Sequence, residues 1–287
     1  GAGKTSLIKI LVTLLRPTKG DVEVNGFSLE DNPQAIRESI GYMAQDTSID
    51  GELTARENLR FACQSYGVPK TAREDRTTEL LDLVGLSDVA DKEARGFSGG
   101  MKKRLDAATA LVHEPPLIFL DEPTTGLDPK SRNKLWQYFE DINNRGQTIF
   151  LTTQYLEEAN RLCDSLSVIQ GGEIIASGTP ADLKKQVGGY VLTVEFGKEK
   201  EAKRAAEIIR NAEVFEEMDE IGRNGTEISI ASPTIQNRGV DFLAILRESG
   251  VRISNFDLHE PTLDDVFLTL TGETPDQKDD EGAEVQV

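Results

Sequence analysis

The chain has 287 residues, 38% hydrophobic and 29% charged, enough for one large globular domain and a smaller one. Its 50 Asp+Glu outnumber 32 Lys+Arg, and the formal net charge of -18 repels nucleic acid phosphates, so no nucleic acid partner is expected. No run approaches the ~18 consecutive apolar residues of a membrane-spanning helix, so the chain is not expected to cross a bilayer. Cys63 and Cys163 make no disulfide framework and suit a reducing cytosol, and their spacing with His113 and His259 matches no metal-ligand pattern.

The chain opens inside a motif. Gly1-Ala2-Gly3-Lys4-Thr5-Ser6 is the back half of a phosphate-binding loop, G-x-x-x-x-G-K-[ST]. The first glycine of that pattern would lie three residues before Gly1, so the chain reads as a fragment missing its beginning. As it stands it is expected to bind ATP poorly. The glycines let backbone N–H groups turn toward phosphates, Lys4 reaches the β- and γ-phosphates, Thr5 ligates magnesium, and Ser6 touches the α- or β-phosphate. A helix follows, with Leu7, Ile10, Leu11 and Leu14 on one face, stopping before Pro17. A plain glycine turn before a helix is the competing reading.

Residues 21–26 alternate and end in Asn25-Gly26, a strand and tight turn. Residues 40–44 read as a second strand, with Gln45 at its end. From 46 to 115 the texture becomes helical, with apolar residues at helical spacing over 54–66 and 73–84. Ser98 then caps a helix that begins Gly99-Gly100 and carries Met101, Leu105, Ala108 and Val112 on one face. A Ser-Gly-Gly at a helix start is a second anion site, or only a capped helix.

Leu117-Ile118-Phe119-Leu120 is apolar without alternation, which suits a strand buried on both faces. It runs into Asp121 and Glu122 at the sheet's carboxyl edge, where open α/β sheets bind ligands. Adjacent strand residues point to opposite faces, so the pair can divide labour. Asp121 can hold magnesium, and Glu122 can deprotonate a water that attacks phosphate. Pro129 starts a helix to residue 144, and residues 148–153 form a buried strand ending at Gln154.

A helix near 155–163, strands over 165–169 and 173–176, and a helix over 180–187 follow. Beyond Gly188-Gly189 the order is a strand over 190–196, a helix over 199–211, strands over 214–219 and 227–230 around Gly222 and Gly225, a helix over 240–249 and a strand over 251–258. That β-α-β-β-α-β order is ferredoxin-like. Residues 262–270 add a last helix, and the acidic residues 273–287 read as disordered.

GAGKTS, Gln45, FSGGM, LIFLDEP, GLD and Gln154, in that order, resemble the nucleotide-binding subunit of ABC transporters over residues 1–187. ELTARENL, TTQYLEEA and EPTLDDVFL are similar to the daunorubicin-resistance, drug-exporter type. The resemblance implies an α/β P-loop NTPase fold, with a RecA-like core and an ABC helical subdomain at about 46–115. The nucleotide-binding domain would span 1–188, and a small α+β accessory domain 189–272. By the same resemblance, Gly1, Ala2, Gly3, Lys4, Thr5 and Ser6 belong to Walker A, and Gln45 touches magnesium or water. Residues 97–101, with Ser98, Gly99 and Gly100, are the signature, and Asp121 is Walker B. Glu122 is the catalytic base, and Asp128 closes the D-loop.

The family's features further imply ATP and Mg2+ as ligands, a head-to-tail homodimer, a membrane-spanning permease partner and a peripheral place on the cytoplasmic face of the cell membrane. Three departures stand out. Met101 replaces the signature glutamine, Gln154 replaces the switch histidine, and no residue here can be assigned to stack on adenine. The reading from another class is a soluble ABC-type ATPase switch not coupled to transport.

Overall fold

The computed structural model describes residues 2–187, 189–212, 220–232 and 234–271. Gly1, the strand expected at 214–219 and the tail expected at 273–287 lie outside the described residues. The chain divides into two compact units, one of residues 3–153 and one from residue 154 onward.

In the first unit, α1 (Lys4–Leu11) starts at Gly3, whose φ of 97° is left-handed and suits glycine. Its apolar face differs from the expected one. Ile8 and Val12 are buried with Val24, Ile36, Ile40 and Phe119, while Leu14 is 58% exposed. The helix stops short because Thr13 turns left-handed at φ 68°, which rotates Leu14 off the buried face. Strands β1 (Glu23–Val24) and β2 (Phe27–Ser28) form a hairpin across Asn25-Gly26, both at positive φ. Positive φ at both turn positions matches the right-handed twist of the strands. Helix α2 (Pro33–Ser39) was not anticipated; Pro33 at its first position sets φ for the first turn.

A parallel sheet in the order β3-β4-β5 places the site. Its strands are β3 (Ile40–Met43), β4 (Leu117–Asp121) and β5 (Thr148–Thr152). In β4, Ile118 to Asp121 are buried, as its uninterrupted apolar run requires. The strand β5 was expected to be buried, but it lies at an edge of the sheet and Phe150 is 38% exposed. Between β3 and β4 the chain is helical, with α3 (Ala55–Ser65), α4 (Arg73–Leu83) and α5 (Gly99–Thr109). Thr54 and Glu57 close a reciprocal capping box on α3. Gly41 lets β3 approach closely, since a Cβ there would sit 2.2 Å from the Ala110 carbonyl oxygen. Helix α6 (Pro129–Asn144) buries Leu135, Trp136, Tyr138, Phe139 and Ile142.

The second unit begins with α7 (Leu156–Leu162), the antiparallel pair β6 (Leu166–Gln170) and β7 (Glu173–Gly178), and α8 (Pro180–Gln186). Then come β8 (Tyr190–Phe196), α9 (Glu199–Arg210), β9 (Glu220–Asn224), β10 (Glu227–Ser232), α10 (Ile235–Glu248) and β11 (Ile253–His259). The antiparallel sheet runs β11-β8-β10-β9, so the first strand pairs with the third and fourth, the split arrangement of a ferredoxin-like domain. Gly222 lies within β9 rather than in a turn, and a Cβ there would meet Leu268 and Ser229 at 2.6 Å. Leu268 belongs to α11 (Leu263–Thr271), which packs with α7 and α8 through Leu263, Val266, Ala159 and Leu183. Among the described residues, no helix is long and apolar enough to cross a membrane.

Candidate active site

The β4 strand ends at Asp121, and the chain leaves it at Glu122 with a left-handed φ of 48°. The backbone therefore turns between the two acids, where the sequence reading relied on the pleat alone. A non-glycine residue held in that region costs on the order of 1–3 kcal/mol, a strain that concentrates at functional sites. Thr152 holds the turn: its carbonyl oxygen accepts from the Glu122 N–H at 3.1 Å, and its hydroxyl lies 3.3 Å from the same nitrogen.

Asp121 is fully buried. Its Oδ1 accepts from Thr152 Oγ1 at 2.7 Å and from Thr5 Oγ1 at 3.3 Å. Its Oδ2 is buried with no hydrogen-bond partner among the described residues. Glu122, 5% exposed, accepts at Oε2 from Gln45 Nε2 at 3.4 Å and from Thr125 Oγ1 at 3.3 Å. Residues from α1, the end of β3, β4 and β5 thus converge on one point. A buried carboxylate oxygen without a donor, on an aspartate that the Thr5 hydroxyl also meets, fits a hard divalent cation that takes oxygen ligands. Such a cation typically binds through one or two carboxylates and completes its shell with substrate phosphates and water.

The Gln45 segment is itself anchored to α5. Lys103 Nζ donates to the Gln45 carbonyl oxygen, and Asp106 Oδ1 accepts from Ser48 Oγ at 2.6 Å. Burial holds the Lys103 ammonium below the usual lysine range, while Asp106, Asp46, Asp121 and Glu122 pull it the other way. Burial likewise raises the Asp106 carboxyl above the usual aspartate range, with the Ser48 hydrogen bonds opposing.

The remaining expected site residues stand as follows. Gly3, Lys4, Thr5 and Ser6 form the entry to α1, with Ala2 just before them. Ser98 caps α5 by accepting from the Met101 N–H at 3.3 Å. Gly99 and Gly100 open that helix, and Gly100 has a packing reason of its own, since a Cβ there would sit 2.7 Å from Ser131 Oγ. Asp128 caps α6, accepting from Ser131 Oγ at 2.6 Å and the Ser131 N–H at 3.0 Å. The bond from the Ser131 hydroxyl, and after it the one from the Ser131 N–H, lowers the Asp128 carboxyl pKa. Gln154 lies two residues past the end of β5 in the chain.

Sequence reasoning missed Thr152, Thr125, Lys103, Asp106 and Ser48. The signal for Thr152 was available. LIFLD and TIFLT are two apolar strands of equal length, and paired in register they place Thr152 opposite Asp121.

Residues 1–125 match the family described as ABC transporter, and residues 178–271 match the C-terminal domain described as ATP-binding protein DrrA1-3-like. The daunorubicin/doxorubicin resistance ATP-binding protein DrrA of Streptomyces peucetius is 38% identical over 284 residues, 99% of this chain and 85% of that protein. The linearmycin resistance ATP-binding protein LnrL of Bacillus subtilis is 32% identical, over 96% of this chain and 88% of that protein. Among solved structures, a dimeric ATP-binding cassette in a post-hydrolysis state bound to ADP and Pi matches with a TM-score of 0.56 and 26% identity, over 62% of this chain and 81% of that one. The likeness runs along nearly the whole chain, so the chain belongs to the ATP-hydrolysing, ATP-binding proteins of ABC transporters, in the daunorubicin/doxorubicin-resistance group.

Proposed function

We propose that the chain powers efflux of a drug-like or lipophilic substrate through a separate membrane permease, from the cytoplasmic face of the cell membrane. The observation that carries this reading is the convergence of Thr5, Gln45, Asp121 and Glu122 at the carboxyl end of β4. The resistance proteins similar to it, one for daunorubicin and doxorubicin and one for linearmycin, support the substrate class. In this reading residues 1–188 form the nucleotide-binding domain, about 46–115 its helical part and 189–272 an accessory domain. The net charge of -18 supports a protein without a nucleic acid partner.

Backbone N–H groups of residues 1–6 at the start of α1 cradle the phosphates of ATP, and Lys4 adds a cation at the β- and γ-phosphates. Thr5, Gln45 and Asp121 would hold Mg2+, which when bound would neutralise charge on the phosphate oxygens. Glu122 takes the proton of the attacking water, and Gln154 donates to the γ-phosphate. Ser98, Gly99, Gly100 and Asp128 meet the ATP of a second copy in a head-to-tail homodimer. Loss of the γ-phosphate removes that contact and shifts the dimer toward its open form.

The test is ATP-driven efflux of a fluorescent anthracycline from vesicles holding the protein with its membrane partner, beside a Lys4→Ala variant. Efflux that requires both ATP and Lys4 is expected. ATP hydrolysis that continues with no membrane partner able to bind the protein would favour the soluble switch.

A further inference from the structure

Helix α5 contacts the Gln45 segment from two positions one turn apart. Lys103 donates to the Gln45 carbonyl oxygen. Asp106, three residues on, accepts at Oδ1 from both the Ser48 hydroxyl at 2.6 Å and the Ser48 N–H at 3.3 Å. Residues three apart lie on one face of a helix, so one face of α5 grips both ends of the stretch from Gln45 to Ser48. Asp106 is 2% exposed, and an aspartate is rarely left so deeply buried without a specific task. A small apolar residue, such as the buried Ala107 and Ala108 beside it, would pack there without the desolvation cost. The same helix begins at Ser98, and Gln45 at the other end of the grip reaches Glu122 Oε2.

We propose that Asp106 is a positioning residue: through Ser48 it locks the Gln45 segment to the Ser-Gly-Gly helix, so that the Gln45 amide stays on Glu122 and follows that helix when it moves. The inference rests on the reading of Glu122 as the general base. Asp106 touches neither the acids nor the nucleotide-facing start of α1; it acts through Ser48 and Gln45. Ser48 donates to the carboxylate through both its hydroxyl and its backbone N–H, so the segment is held by its main chain as well as by a side chain.

The test is steady-state ATP hydrolysis by the full protein in its transporter complex, for Asp106→Ala, Asp106→Asn, Ser48→Ala, Gln45→Ala and the Gln45→Ala double variants. Asp106→Ala should lower kcat about tenfold, the effect of misplacing one transition-state group. Its KM for ATP should stay within about twofold, because the phosphate loop is untouched. Asp106→Asn keeps an acceptor for Ser48 and should restore most of kcat. Ser48→Ala should lower kcat by roughly threefold, since one of the two donors to Asp106 remains. In the Gln45→Ala background neither change should lower kcat further, because residues acting through one another are not additive. Wild-type kcat in Asp106→Ala would overturn the proposal. Effects of Asp106→Ala and Gln45→Ala that multiply would do so as well. Should Asp106→Ala not fold, Ser48→Ala in the two backgrounds decides by the same criterion. A Glu122→Gln control that keeps full turnover would instead remove the reading on which the proposal stands.

Discussion

Thr152 Oγ1 donates a 2.7 Å hydrogen bond to Asp121 Oδ1, and this bond fixes which oxygen of Asp121 is engaged by the neighbouring strand. The two residues are register partners across the β4–β5 pair. With Oδ1 engaged by Thr152 and Thr5, Oδ2 is left buried and without a hydrogen-bond partner among the described residues. Outer-shell partners of metal ligands are typically worth about 10–100-fold in affinity or activity. Thr152→Val keeps the branched shape and removes the donor. The Mg2+ concentration for half-maximal ATP turnover should rise about tenfold or more, with a smaller change in kcat at saturating Mg2+. An unchanged Mg2+ dependence would show that the bond does not orient Asp121.

Gly100 is held by packing against Ser131. A Cβ at this position would lie 2.7 Å from Ser131 Oγ and 2.8 Å from Ser131 Cβ. Gly100→Ala should therefore destabilise the protein by about 1–3 kcal/mol, the usual cost of overpacking. Urea unfolding measures this directly. Ser131→Gly in the same chain should recover most of the loss, less the hydroxyl bond that Ser131 donates to Asp128; its backbone capping bond remains. An Ala variant as stable as the wild type would mean that α5 and α6 separate freely.

For Gln154 the expectation concerns pH. A glutamine offers a donor and an acceptor but no titratable charge. Gln154→Ala should slow hydrolysis about tenfold, near the ~1.4 kcal/mol of one transition-state hydrogen bond. Gln154→His should stay active and add a pH dependence near the imidazole range, at roughly pH 6–7. The measurement is kcat against pH for the three proteins. Equal rates for Ala and wild type at every pH would leave Gln154 without a role in sensing the phosphate.

Asp106 also has a signature in stability. Burial raises its folded carboxyl pKa above the unfolded value of ~3.9, so the folded state resists ionising it. The cost is absent below the unfolded pKa, grows as pH rises to the folded pKa and is constant above it. Asp106→Asn removes that cost and keeps an acceptor for Ser48. Its stability relative to wild type should therefore be greater at pH 7 than at pH 4, read from urea midpoints. A difference that is equal at both pH values would mean that the carboxyl ionises in the fold as freely as in water.

Much of this arrangement was legible in the residues. The strand before Asp121 is an apolar run without alternation, the pattern of a strand buried on both faces. Pro129 after Asp128, and Ser98 before two glycines, mark helix starts through capping chemistry that acts locally. What was not legible depended on neighbours distant in sequence. The left-handed turn at Glu122 follows from a Thr152 hydrogen bond 30 residues away. Gly222 looked like a turn residue until Leu268 was found packed where its side chain would stand. Thr13 ended α1 early and moved the buried face to Ile8 and Val12, an outcome that periodicity alone could not foresee. The grip of α5 on the Gln45 segment joins Asp106 to Ser48 across 58 positions, and no local pattern announces it.

The central claim is that Glu122, one residue past the buried Asp121, is the general base of ATP hydrolysis. Glu122→Gln replaces the carboxylate with an amide of the same size and keeps a partner for Thr125 and Gln45. Single-turnover and steady-state hydrolysis of ATP, with ATP binding followed in parallel, test it most directly. The account predicts ATP affinity near that of the wild type, turnover lower by about 10²–10⁴-fold, and an ATP-stabilised dimer visible by size-exclusion chromatography. Steady-state hydrolysis close to the wild-type rate would contradict it.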